Sequence, residues 1–270
     1  MKKYVRNYDL EDGEGDHAII KFTGLGEDEL RFKRFTCNRD LNLRIYALGE
    51  GRRREMFDYG WIVDSKSHER IWEMDYFNTE HGGGGKKNRL FNDVVSFQKG
   101  SYVVYFVTDG SHSYNDWNTG PPFDRGNWGI SIYPADDDFK STDISEGADG
   151  NVIVQLVEIG AHARERKKFT LDSDGEVRIY ALGEGSGHMH DYGWIEDADS
   201  REVVWEMDYR QTEHAGGARK NRLAEETIFL KKGEYILYYE TDDSHSFGDW
   251  NADPPYDPIH WGITLYAIEN

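Results

Sequence analysis

Cysteine is almost absent from this chain: Cys37 is the only one among 270 residues. A lone thiol excludes an intramolecular disulfide and a thiolate zinc site, because each needs a partner thiol. Long apolar runs are missing as well. No stretch approaches the ~18 residues of a membrane-crossing helix, and the opening MKKYVRNYDLEDGEG lacks the apolar core of a secretory signal. The expected location is therefore the cytoplasm by default, or outside the cell had a signal been removed. Positive charge is in short supply: Lys and Arg number 32 against 51 Asp and Glu, a net charge of −19. Nucleic-acid binding needs cationic surface to displace phosphate counterions, and docking on anionic lipid needs it too. Neither a nucleic acid nor a membrane is an expected partner. An acidic surface suits solubility, cation binding or a basic partner. Helical periodicity is also lacking, since no segment keeps a 3.6-residue period over three turns.

What is present is aromatic and repeated. Aromatics make up 14% of the chain, with 8 Trp and 17 Tyr, enough for a sizeable core in each of two domains. RIYALGEG occupies residues 44–51 and again 178–185, 134 positions later. DYGWI at 58–62 returns at 191–195, an offset of 133, so one residue is deleted between these blocks. Beyond it WEMDY (72–76, 205–209), TEH (79–81, 212–214), KNRL (87–90, 220–223) and WGI (128–130, 261–263) keep that offset. Upstream the offset of 134 continues more faintly, pairing Phe35-Thr36 with Phe169-Thr170 and Asp9-Leu10 with Asp143-Ile144. Two units of this size describe a tandem duplication, not a solenoid of short repeats. The expected domains are residues 1–134 and 141–270, joined by a polar linker at 135–140.

Each unit reads as β. Runs rich in Val, Ile, Tyr and Trp alternate with Gly, Asp, Asn and Pro. In VVWEMDY (203–209), Trp205, Met207 and Tyr209 fall on one face, and Glu206 and Asp208 on the other. Such two-residue periods with a half-polar face describe antiparallel strands. Seven or eight short strands per unit predict an all-β fold: two tandem antiparallel β-sandwich domains, jelly-roll-like, from an internal duplication. The order of an early Phe-Thr strand, RIYALGEG, DYGWI, VVWEM, KKGEYILYY and a closing WGITLY resembles bacterial pre-peptidase C-terminal domains and CUB-like jelly rolls. The likeness covers the downstream two-thirds of each unit. It implies an accessory, non-catalytic module of a kind often extracellular, sometimes calcium-dependent, that binds carbohydrate or protein.

Two loops stand out, TDGSHSYNDWN (108–118) and TDDSHSFGDWN (241–251). Asp and Asn oxygens at short spacing suit Ca²⁺, which takes six to eight hard ligands. The candidate metal ligands are Asp109, Asp116 and Asn118, and Asp242, Asp249 and Asn251. Asp243 is replaced by Gly110, so it belongs to no shared site, and the spacing is not that of an EF-hand. His112, Trp117, His245 and Trp250 are the candidate ligand-binding residues. The same side chains also suit a loop that bonds its own backbone while Trp plugs the core. His81 and His214 add an imidazole per unit, without the spacing of a zinc site. Glu73–Asp75 and Glu206–Asp208 could form carboxylate pairs, but acids on the wet face of a strand are common, and no catalytic residue is assigned. The glycine runs EHGGGGKKNR (80–89) and EHAGGARKNR (213–222) lack the phosphate-loop pattern and read as flexible hairpin tips. From them Arg89 and Arg222 are expected to reach Asp58 and Asp191. Tyr59, Trp61, Tyr192 and Trp194 could form aromatic platforms or fill the core.

The leading expectation is a non-catalytic tandem binding or structural module, supported by calcium, that recognises a protein or glycan surface through its loop end. Two similar sites per chain favour bivalent binding. A metal-assisted or two-carboxylate hydrolase is the alternative, and a self-assembling structural protein the third. No nucleotide or redox cofactor is expected.

Overall fold

Buried and exposed side chains alternate as the period-two pattern requires: Leu41, Leu43, Ile45 and Ala47 face inward while Asn42 and Arg44 face out. The computed structural model describes residues 4–7, 18–147 and 150–268. It is all-β apart from four single-turn 3₁₀ segments among the described residues. The chain divides into two compact units, Lys2–Asp149 and Gly150–Asn270.

The first unit holds β1 (Tyr4–Asn7), β2 (Ile20–Thr23), β3 (Glu29–Cys37), β4 (Leu41–Arg52), β5 (Glu55–Asp64), β6 (Arg70–Glu73), β7 (Glu80–His81), β8 (Asn88–Phe97), β9 (Gly100–Val107), β10 (Gly129–Pro134) and β11 (Ile144–Glu146). Strands β2-β10-β4-β8-β7 pair side by side in one antiparallel sheet. The other sheet runs β3-β9-β5-β6, with β1 and β11 on the outer side of β3. Its core draws on both sheets: Leu43, Ile45, Phe91 and Ile130 meet Phe35, Ile62, Val104 and Phe106.

The second unit holds β12 (Val152–Leu156), β13 (Arg164–Leu171), β14 (Gly175–Glu184), β15 (Tyr192–Asp197), β16 (Val203–Glu206), β17 (Glu213–His214), β18 (Asn221–Leu230), β19 (Gly233–Glu240) and β20 (Gly262–Ala267). Its sheets run β12-β20-β14-β18-β17 and β13-β19-β15-β16, the order of the first unit without counterparts of β1 and β11 among the described residues. Ile179, Leu265, Phe169 and Leu237 share its core. Each unit is thus two mainly antiparallel sheets over one apolar layer, joined in the first unit where β4 pairs β5 at Glu50–Arg52 and bearing one parallel strand, β1.

The unit boundary differs from the expected one. Residues 135–147 belong to the first unit instead of forming a linker and opening the second. Ala135 N–H donates to Asn42 O at 3.0 Å, Asp136 accepts from Asn42 N–H at 2.9 Å, and Ile144–Glu146 adds a strand to β3. The acids that made this stretch look solvated are bound instead: Arg39 reaches Asp138 at 3.0 Å and Asp143 at 3.1 Å. The paired carboxylates are also redistributed. Strands β6 and β16 end at Glu73 and Glu206, and Asp75 and Asp208 lie beyond them, capping Phe77 N–H and Arg210 N–H.

Candidate functional site

Each Ser-His-Ser loop follows an interior strand, β9 or β19, and is shaped by its own polar side chains. Asp109 Oδ1 accepts Ser111 N–H and Asp242 Oδ1 accepts Ser244 N–H, both at 2.8 Å. The turn then needs a left-handed residue, supplied by His112 (φ 59°) and His245 (φ 54°). That conformation turns the imidazole inward. His112 and His245 are buried, 1% and 0% exposed, edge-on to Trp117 and Trp128 in one unit and to Trp250 and Trp261 in the other.

Asn88 and Asn221 lock this arrangement. The Asn221 amide donates to Gly216 O at 2.8 Å and Asp253 O at 2.9 Å, so its Oδ1 must face His245 Nε2, 2.5 Å away. Asn88 does the same with Gly83 O, Gly120 O and His112 Nε2. The carboxamide therefore places a proton on Nε2 of each ring, and His245 Nδ1 lies 3.1 Å from Asn251 Oδ1. Burial, with Lys87 or Lys220 adding repulsion, lowers the pKa of His112 to about 4 and of His245 to about 3.

The same amide explains the glycine runs, which are not flexible tips. Gly84 and Gly217 have φ near 62°, and a Cβ there would sit 1.9 Å from Pro121 O or Pro254 O. Only glycine lets the hairpin lie against the far end of the Ser-His-Ser loop. Arg89 and Arg222 do not reach Asp58 and Asp191. They bond Thr79 and Thr212 hydroxyls at 3.0 and 2.9 Å and lie over the Tyr76 and Tyr209 rings.

Under each loop three acids gather: Glu50, Asp58 and Asp109 in the first unit, Glu184, Asp191 and Asp242 in the second, with ligand oxygens within 4.8 Å of one another. Asp58 and Asp191 are fully buried and accept Asp109 N–H and Asp242 N–H at 2.8 Å. Burial, then the neighbouring acids, raises Asp191 to about 7, and Asp58 moves well above its usual range for the same reasons. Lys87 and Lys220 supply the compensating charge, 2.8 Å from Glu50 and 3.0 Å from Glu184.

The residues singled out from the sequence thus part company. Asp109 and Asp242 join the triads, and Asp116 and Asp249 are not among the gathered acids. Asn118 is exposed, and Asn251 Oδ1 accepts Lys220 Nζ at 2.6 Å. His112, His245 and Trp250 present no outward surface, and Trp117 is half-buried. Trp61 stacks on Tyr105 and Trp194 on Tyr238. Glu206 ends β16 in one sheet, His214 lies on β17 in the other, and His245 is sealed in its loop.

What the sequence reading missed is a basic cleft beside each triad. In the first unit Arg52, Tyr76, Lys86, Lys87 and Asn118 line a cavity of about 660 Å³. In the second, Tyr209, His214, Arg219, Lys220 and Arg222 line one of about 500 Å³. Tyr76 matches Tyr209, Lys86 matches Arg219 and Lys87 matches Lys220 in the repeat. That conserved pattern of charge across both halves was the available signal, masked by the glycines preceding it.

These features define an all-β protein of two-sheet units, each carrying a buried His–Asn–Trp lock and a basic cleft. No protein-family model and no curated protein matches the chain. Among solved structures it is similar to one described as the CUB1-EGF-CUB2 domain of human MASP-1/3, at 10% identity and a TM-score of 0.27, over 91% of this chain and 96% of that one.

Proposed function

We propose that this protein is a non-catalytic binding module, a duplicated β-sandwich that holds an anionic group of a protein or glycan surface in each of its two basic clefts. The supporting observation is charge placement: in a chain of net charge −19, each cleft concentrates three Lys or Arg side chains around one tyrosine. Arg52, Lys86 and Arg219 are exposed there, able to pair with a carboxylate or sulfate, and guanidinium forks do so in two-point geometry. Tyr76 and Tyr209 offer an apolar face held in place by Arg89 and Arg222. Two equivalent clefts on one chain raise the strength of attachment to a surface bearing many such groups.

Titration calorimetry with sulfated, carboxylated and neutral oligosaccharides and with an acidic peptide tests this. The triple variant Arg52→Glu, Lys86→Glu, Arg219→Glu is expected to weaken anionic-ligand binding by roughly tenfold or more, and added salt to weaken wild-type binding. Equal binding of neutral and anionic ligands, or an unaffected triple variant, sinks the reading.

Calcium enters this proposal at the triads, not at Asp116 or Asn118. An ion bound to Glu50, Asp58 and Asp109 competes with Lys87, which already neutralises Glu50. A chelator-reversible rise in melting temperature is therefore expected to be small in the wild type and larger in Lys87→Met and Lys220→Met. If neither variant responds to millimolar calcium, metal support is removed from the proposal.

A further inference from the structure

The two units differ at one sheet edge. In the first, β3 pairs with β9 on one side, while its other side is covered by β1 opposite residues 29–32 and by β11 opposite residues 35–37. In the second, β13 pairs with β19 along its length, and among the described residues no strand lies on its other side. An unpaired edge presents a row of backbone donors and acceptors, which exposed basic side chains commonly guard. Arg164, Arg166, Lys167 and Lys168 are all exposed here. Guarding does not account for the cores, however. Ile144 of β11 closes the first core, standing opposite Cys37, and is 8% exposed where Cys37 and Phe35 are 0%. Leu171, which replaces Cys37, is only half-buried, and Phe169 is 8% exposed where Phe35 is sealed.

By the internal repeat, β11 is the leader of the second unit. Residues 143–147, DISEG, answer residues 9–13, DLEDG, 134 positions earlier. The first core is thus closed by the leader of the repeat that follows it. The leader at 9–13 keeps the chemistry of that role. Leu10 stands for Ile144. Asp12 stands for Glu146, whose carboxylate lies 3.6 Å from Lys33 Nζ, and Lys33 is matched by Lys167. Gly13 stands for Gly147, where a Cβ would meet Phe35 N at 2.7 Å. On the leader's own unit the places opposite residues 35–37 are already taken by residues 144–146.

We propose that residues 10–13 of one molecule pair antiparallel with β13 of a second copy, so that chains join head to tail by strand addition. The register that β11 takes on β3 sets Leu10 opposite Leu171, Glu11 opposite Thr170 and Asp12 opposite Phe169, with Asp12 beside Lys167. The acidic leader meets the basic edge, and Leu10 completes the second core. Such a contact is heterologous and grows into rings or filaments.

Sedimentation equilibrium on the full chain tests this. Mass is expected to rise over a roughly hundredfold range of concentration, and Gly13→Val, Asp12→Lys and Lys167→Glu each to weaken association by roughly tenfold or more. Circular dichroism melts of the Asp12 and Gly13 variants should match the wild type. A mixture of Asp12→Lys with Lys167→Glu should associate again, since each leader then meets an edge of opposite charge. A mass of one chain at every concentration overturns the proposal, including the case in which the leader closes on its own β13. So does association that these variants leave unchanged.

Discussion

Replacing Asn221 by alanine is expected to destabilise the second unit by about 3–4 kcal/mol, and Asn88→Ala to do the same to the first. Asn221 makes three hydrogen bonds at once, to Gly216 O, Asp253 O and His245 Nε2, from a side chain that is 0% exposed. Truncation leaves a buried imidazole N–H and carbonyl groups short of a partner, and it opens a void between the glycine hairpin and the Ser-His-Ser loop. Each orphaned group costs about 1–3 kcal/mol when water cannot reach it. Asn221→Asp is expected to be as harmful, because a carboxylate has no donor for the two carbonyls. Urea unfolding followed by Trp fluorescence reads the effect, since Trp250 and Trp261 pack against His245. A loss below about 1 kcal/mol would show that the carboxamide is not what holds the two segments together.

The second large effect is a pH dependence with two opposing parts. Burial pushes Asp191 up to about 7 from its ordinary 3.8, so the folded state holds a proton that the unfolded chain has lost. Its contribution to stability is complete below about 3.8 and disappears as pH rises through about 7. Asp58 acts in the same direction. His245 runs the other way. Its folded value of about 3 lies below 6.5, so its contribution is complete above 6.5 and is lost as pH falls toward 3. Between about 4 and 6.5 the two nearly cancel, and the wild type should show a flat stability there. Asp191→Asn unmasks the histidine. Relative to the wild type the variant gains about 1.4 kcal/mol for each pH unit up to about 7, roughly 3 kcal/mol between about pH 5 and pH 8. Urea midpoints of both proteins at those two values check it, and a difference independent of pH would mean that Asp191 is ionised throughout.

The strands were readable because their information is local. Leu43, Ile45 and Ala47 alternate with polar neighbours within a few residues, and Gly-Asp-Asn punctuation marks their ends. The recurrence of RIYALGEG and DYGWI likewise needed no three-dimensional knowledge. The candidate site was legible only in part. The Ser-His-Ser loop was visible as a recurring cluster of His, Trp, Asp and Asn, yet the role of those residues depends on what covers them. His245 is buried because Asn221, 24 positions away, and Trp261, 16 positions away, enclose it. Asp116 and Asn118 looked like ligands by type and spacing, but Asp116 lies outside the cluster that Asp109 joins with Glu50 and Asp58, and Asn118 is exposed. The glycine runs looked flexible because their constraint is the backbone of Pro121 and Pro254, reached only by folding.

What the amino-acid sequence by itself determined is the all-β character, the period-two strands and the placing of one polar loop in each half, all consequences of side-chain alternation and local turn chemistry. The tertiary structure alone decided which acids gather beneath each loop, where positive charge collects in an acidic chain, and why RFKRFTC in β3 is a covered strand while the related ERKKFTL in β13 is an edge. Burial and strand pairing are set by partners distant along the chain. Ile144 seals Cys37 from 107 positions away, and no window around either residue contains that fact.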